Sequence, residues 1–151
     1  MNTDKKISRR EALKRMGFAV MSGAIASSGL LSLASCETKR SKRIIFYFTG
    51  TGNSLYIARQ LAGENAELLS IPQMVKRGKY EFEADEIGIV YPIYGHMPPY
   101  MVRQFIQKAK LKAEYKFAVL TYGARKCDAV EIWDRISRKA DNAFDYISTI
   151  I

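Results

Sequence analysis

The strongest constraint on this chain is an abrupt change of pattern between residues 43 and 62. Arg43-Ile44-Ile45-Phe46-Tyr47-Phe48 is short, β-branched and aromatic, with apolar residues at consecutive positions, as in a strand buried on both faces. It gives way at once to Thr49-Gly50-Thr51-Gly52-Asn53-Ser54. Leu55, Ala58, Leu61 and Ala62 then share one helical face, and Gly63 closes the helix. Strand, glycine turn and helix in that order open an alternation that the rest of the sequence continues.

Ala66 to Ser70 reads as a second strand, and Glu86 to Tyr91 as a third, ended by Pro92. Pro72 to Asp85 is weakly patterned and holds a short helix or a loop. Pro98-Pro99 opens a helix through about Lys110, with Met101, Val102, Phe105, Ile106 and Ala109 at helical spacing. Tyr115 to Thr121 is a fourth strand, broken by Tyr122-Gly123-Ala124. A helix carrying Val130, Ile132, Trp133 and Ile136 follows, and Phe144 to Ile151 opens a fifth strand. The pattern predicts an α/β fold with a parallel sheet, ligands lying at the carboxyl ends of the strands. With 48% hydrophobic residues in 151, the chain can bury one core and is too short for two ordinary domains.

Charge and cysteine usage exclude several function classes. The formal net charge is +9, but six basic and only two acidic residues precede Cys36. The remaining Lys and Arg are scattered, with no aromatic platform among them, so no nucleic-acid partner is expected. Cys36 and Cys127 are the two cysteines, which rules out a disulfide framework and a four-cysteine iron–sulfur cluster. No role is assigned to Cys127. His96 is the single histidine and has no second ligand beside it, so it reads as a solvated loop residue and no metal site is expected. No serine, cysteine or carboxylate constellation suited to hydrolysis is present, and no catalytic residue is named.

The first 36 residues have a different character. Ser8-Arg9-Arg10-Glu11-Ala12-Leu13 is similar to a twin-arginine export signal, with Ala12 where phenylalanine is usual, and is favoured over a general secretory signal. The run from Met16 to Ala34 contains Gly17, Gly23 and Gly29 and is less apolar than a membrane-spanning helix. Leu33-Ala34-Ser35-Cys36 resembles a bacterial lipobox. That resemblance implies that residues 1–36 form a signal segment in which the peptide before Cys36 is removed and Cys36 carries the lipid, with residues 37–42 as a tether to a domain at 43–151. The protein would be an exported, membrane-associated lipoprotein, periplasmic or at the cell surface.

The turn at Thr49 to Ser54 carries the chemistry. Backbone N–H groups and the helix dipole converge on an anion at such a junction. Gly50 and Gly52 let the main chain curl close to phosphate oxygens, and the Thr49, Thr51 and Ser54 hydroxyls and the Asn53 amide add donors. The turn has no lysine, which a nucleoside-triphosphate loop requires. It also lacks the third glycine of a dinucleotide fingerprint, and Leu69-Ser70-Ile71 offers no acid for a ribose.

Thr49-Gly50-Thr51-Gly52-Asn53-Ser54 is similar to the FMN phosphate loop of flavodoxins. Together with Ile89-Val90-Tyr91-Pro92-Ile93-Tyr94-Gly95 and Pro98-Pro99, it most resembles the flavodoxin half of bacterial and archaeal flavodoxin–ferredoxin fusions. The resemblance implies a flavodoxin-like, doubly wound, three-layer α/β/α domain with strand order 2-1-3-4-5, binding FMN. It implies that Tyr94 stacks on the flavin ring and that Pro92, Gly95, Thr121, Tyr122 and Gly123 border it. The fusions continue past this point into a cysteine-rich ferredoxin. A C-terminally truncated domain with an incomplete fifth strand is therefore expected, delivering electrons to an external redox partner protein. Electron carriage is the leading reading. The alternatives are an FMN-dependent NAD(P)H or quinone reductase, and a flavin-free lipoprotein whose flavodoxin fold serves as a binding or assembly module.

Overall fold

The computed structural model describes residues 42–151. The export signal, Cys36 and the tether before Lys42 lie outside the described residues. The elements run β1 (Arg43–Tyr47), α1 (Asn53–Ala62), β2 (Ala66–Ser70), α2 (Ile71–Arg77), β3 (Glu81–Glu83), β4 (Glu86–Pro92), α3 (Tyr100–Lys108), β5 (Lys110–Lys112), β6 (Tyr115–Thr121), α4 (Ala129–Lys139) and β7 (Tyr146–Ile150). Five strands form one sheet in the order β2-β1-β4-β6-β7, every pair parallel. Counting the five sheet strands in chain order, this is the expected 2-1-3-4-5.

Register decides which side chain meets which layer. Ile44 pairs with Ile87 and Phe46 with Ile89, and Ile89 pairs in turn with Ala118. These residues, with Tyr91 and Leu120, pack against Met74 of α2, Val102, Phe105 and Ile106 of α3, and Trp133 of α4. The alternate positions Ile45, Val90 and Phe117 face Ala58 and Ala62 of α1. A side-chain period of two therefore feeds two core layers, one on each face of the sheet. Gly88 sits on the α1 face, where a Cβ would come within 2.5 Å of the Phe117 ring and 2.8 Å of Ile45 Cδ1. The missing side chain is what lets Phe117 lie across the central strand.

A second, two-stranded parallel ribbon, β3 with β5, was not expected. It pairs Glu81-Phe82-Glu83 with Lys110-Leu111-Lys112. Phe82 and Leu111 turn into the core, while Lys110 Nζ sits 2.7 Å from Glu81 Oε1 and Lys112 Nζ 3.4 Å from Glu83 Oε1. The sequence suggests a helix to about Lys110, but α3 ends at Lys108 and Ala109 is extended at φ −71° and ψ 139°. Two alternating triplets far apart in the chain are too short to show a period, and each gains its strand conformation only from the other.

Asn142 locks the ends of these elements. It is 1% exposed, and its Nδ2 donates to the carbonyls of Ala109 at 2.8 Å, Ala140 at 2.9 Å and Ile106 at 3.3 Å. Its Oδ1 accepts from the Leu111 N–H at 3.2 Å, and its own N–H bonds the Ser137 carbonyl at 2.9 Å. One amide thus satisfies groups that the ends of α3 and α4 leave without helical partners. Among the described residues, no helix is long and apolar enough to cross a membrane.

Candidate functional site

At the carboxyl end of β1 the ladder runs one residue further, the Phe48 N–H bonding the Val90 carbonyl at 2.9 Å. The chain then turns, held by the Thr49 hydroxyl oxygen, which accepts from the Gly52 N–H at 2.9 Å. Gly52 lies at φ 99°, a left-handed conformation that a β-carbon would oppose, and it is the residue from which α1 starts. The first helical bond is Tyr56 N–H to the Gly52 carbonyl, 2.9 Å. Among the described residues no side chain caps α1, so the N–H groups of Asn53, Ser54 and Leu55 have no intrahelical acceptor. They point where the helix dipole favours negative charge.

Two side chains form the floor of the site. The Ser54 and Thr121 hydroxyls lie 2.8 Å apart and are buried. One donates to the other, which leaves a single hydroxyl proton from the pair for a third group. Ser54 is thus committed to β6, whereas Thr51 and Asn53 stay exposed. Thr121 ends β6 opposite Pro92 of β4, so this bond ties α1 to the rim of the sheet.

The loop after β4 makes the wall. Tyr94 and Met97 exchange backbone bonds of 3.0 and 3.1 Å around Gly95 at φ 55° and His96 at φ 71°. Two consecutive left-handed residues give the turn a type I′ geometry, which demands glycine or a tolerant polar residue at both positions. Tyr94 is 52% exposed, its ring edge-on to Phe48 at 6.5 Å between centroids. Its hydroxyl lies so close to Gly50 that a Cβ there would approach within 2.6 Å. The phosphate-loop candidate and the aromatic loop therefore touch. His96 Nδ1 is 3.1 Å from Asp128 Oδ1, linking this loop to the start of α4. The His96 hydrogen bond, followed by a backbone hydrogen bond, holds the Asp128 carboxyl below its ordinary range.

These parts enclose a cleft of about 520 Å³. Nine of the twelve residues expected to hold a cofactor line it: Gly50, Thr51, Asn53 and Ser54 from one side, Pro92 and Tyr94 from another, Thr121, Tyr122 and Gly123 from a third. Thr49, Gly52 and Gly95 do not line it: the Thr49 hydroxyl holds the first turn by accepting from the Gly52 N–H, and Gly52 and Gly95 bend the two turns at positive φ. Tyr56, Ile57, Ile93 and Ile151 line it without having been anticipated. Tyr56 carried a signal: it is a large aromatic in the first turn of the helix, off the apolar stripe, and it is 63% exposed. Among the described residues, no charged side chain lines the cleft. Its volume falls in the usual range for cofactor sites, and its donors are amides and hydroxyls.

His96 and Cys127 do not line the cleft. Cys127 is exposed at φ 46° in the loop before α4. Among the described residues, no group of three or more His, Cys, Asp or Glu could hold a metal ion.

No family model matches the chain, and no curated protein matches it in sequence. Among solved structures, it is similar to a flavoprotein from Lactobacillus acidophilus in complex with FMN, at 12% identity and TM-score 0.52, covering 72% of this chain and 93% of that one. It is similar to the two-electron reduced flavodoxin of Megasphaera elsdenii at 16% identity and TM-score 0.52, covering 71% and 84%. The Trp repressor binding protein of Bacillus subtilis matches at 12% identity and TM-score 0.51, covering 72% and 83%. At these identities the likeness establishes the fold, which is flavodoxin-like.

Proposed function

We propose that this flavodoxin-fold chain binds FMN and carries electrons to an external redox partner protein, and that it does so as an exported protein held at a membrane by lipid on Cys36. The observation that supports the flavin reading best is the meeting of three features in one cleft: the uncapped start of α1, the bare Gly50 and the Tyr94 wall. A phosphoryl group seated on the Asn53, Ser54 and Leu55 amides would be held by hydrogen bonds and dipole, without a cationic side chain. Thr51 and Asn53 are free to add donors, and the Ser54 and Thr121 pair supplies one more proton from the floor.

Bound there, FMN supplies reversible one- and two-electron transfer. Tyr94 would shield one face of the ring from water, and its electron-rich face would disfavour added charge on the flavin and so lower its potential. The Thr121 to Gly123 segment would border the other parts of the ring. Two of the similar solved structures support this reading, one holding FMN and one being a flavodoxin in its reduced form.

Protein purified without added flavin should be yellow, and flavin-free protein should bind FMN on titration with quenching of flavin fluorescence. Colourless protein that takes up no FMN would overturn the redox reading. The lipid anchor is tested separately: the chain should fractionate with membranes, and Cys36→Ser should release it. Release without loss of flavin would leave the two halves of the proposal independent.

A further inference from the structure

A second concave surface lies outside the cleft described above, between α3 and α4, with a volume of about 580 Å³. Met97 lines it from the loop before α3, Arg103 and Gln107 come from α3, and Arg135 and Lys139 come from α4. Three cations therefore line one groove. Arg135 and Lys139 are exposed and one helical turn apart, on the same face of α4. Arg103 is half-buried and lies over the Tyr100 ring at 5.9 Å, but its Nε is buried and bonds nothing among the described residues.

Among the described residues no carboxylate forms an ion pair with these three cations, Glu131 being exposed one turn before Arg135. Asp128 feels Arg135 only as the last of its influences, its main partner being His96. Asp134 is engaged by Arg138, whose Nε lies 2.8 Å from each carboxylate oxygen. Like charges gathered in a concavity repel one another, and a buried guanidinium N–H without an acceptor is unfavourable. Both costs are removed by an anion with several oxygens, which the planar forks of Arg103 and Arg135 can grip from two sides while Lys139 and Gln107 complete the shell.

We propose that the groove between α3 and α4 is an anion site for a phosphate ester or diphosphate group, held by Arg103, Arg135 and Lys139 and separate from the cleft at the start of α1. A diphosphate matches three cations better than a single carboxylate does. The same chemistry belongs to a soluble phosphorylated metabolite and to the headgroup of an anionic lipid.

Calorimetric titration of the full chain separates these outcomes, with inorganic pyrophosphate in one arm and phosphatidylglycerol vesicles in the other. At least one arm should show saturable binding that Arg135→Gln with Lys139→Gln weakens tenfold or more. Lys76→Gln with Arg77→Gln on α2, and Thr51→Ala in the α1 turn, should leave that binding unchanged. Pyrophosphate binding identifies a soluble ligand, and binding to vesicles alone identifies a lipid headgroup. Arg135 and Lys139 are exposed, so their double variant should melt like the parent. No binding in either arm overturns the proposal. Equal loss in the α2 variant, which marks a general charge effect, also overturns it, as does loss only with Thr51→Ala, which would place the anion in the other cleft.

Discussion

Asn142 and Ser54 are both buried polar side chains, and they close opposite ends of the sheet in opposite ways. At the amino ends of the strands, Asn142 uses both of its amide atoms on the backbone, bonding three carbonyls and one N–H. At the carboxyl ends, Ser54 bonds only another hydroxyl, and the amides beside it have no internal acceptor among the described residues. A saturated end serves stability. An end with donors left over serves an outside acceptor, because amides and hydroxyls that stay wet keep their hydrogen bonds until a ligand takes them.

This contrast can be broken at either end. The largest effect is expected from Asn142→Ala, which leaves buried carbonyls and the Leu111 N–H unpaired and should cost about 3 kcal/mol in urea unfolding. Bound flavin, where the variant remains folded, should be unaffected. Gly52→Ala acts at the other end. Forcing a β-carbon to φ 99° should cost about 1 to 2 kcal/mol of stability, and, by shifting the loop, weaken FMN binding at least tenfold.

Thr51→Ala should sharpen the distinction. Its side chain is exposed, so unfolding should move by less than about 0.5 kcal/mol, while the FMN dissociation constant should rise about fivefold through loss of one hydroxyl donor. A stability loss with unchanged affinity would place Thr51 among structural residues. Tyr91→Phe tests an orphan inside the core. The Tyr91 hydroxyl is buried without a partner among the described residues, and burial pushes its pKa well above the ordinary tyrosine value. Its removal should leave stability unchanged or raise it by up to about 1 kcal/mol.

The smallest effect concerns pH. The folded Asp128 carboxyl is held below its unfolded value, chiefly by His96, so its contribution is present above about pH 4 and is lost as pH falls through the folded value. Asp128→Asn should therefore remove a small part of the acid-side decline in melting temperature and leave the alkaline side unchanged.

The regular elements were legible because their signals are local. The five apolar runs that pair into the main sheet, and the glycines at 52, 63 and 95, each declare a backbone preference within a few residues. The clefts and clasps were not legible in this way. Ser54 meets Thr121 across 67 positions, His96 meets Asp128 across 32, and Glu81 meets Lys110 across 29. A serine inside a helix gives no sign of which hydroxyl it will face.

The sequence by itself determined the alternation of strand and helix, the two faces of the sheet and the turn from which α1 starts, since each follows from steric preference and period. Only the tertiary structure decided that Ser54 would be spent on Thr121, that Tyr94 would reach over Gly50, and that three cations from α3 and α4 would share a groove. Those outcomes depend on how the crossovers bring distant segments side by side, and a contact between distant residues leaves no period in the chain that makes it.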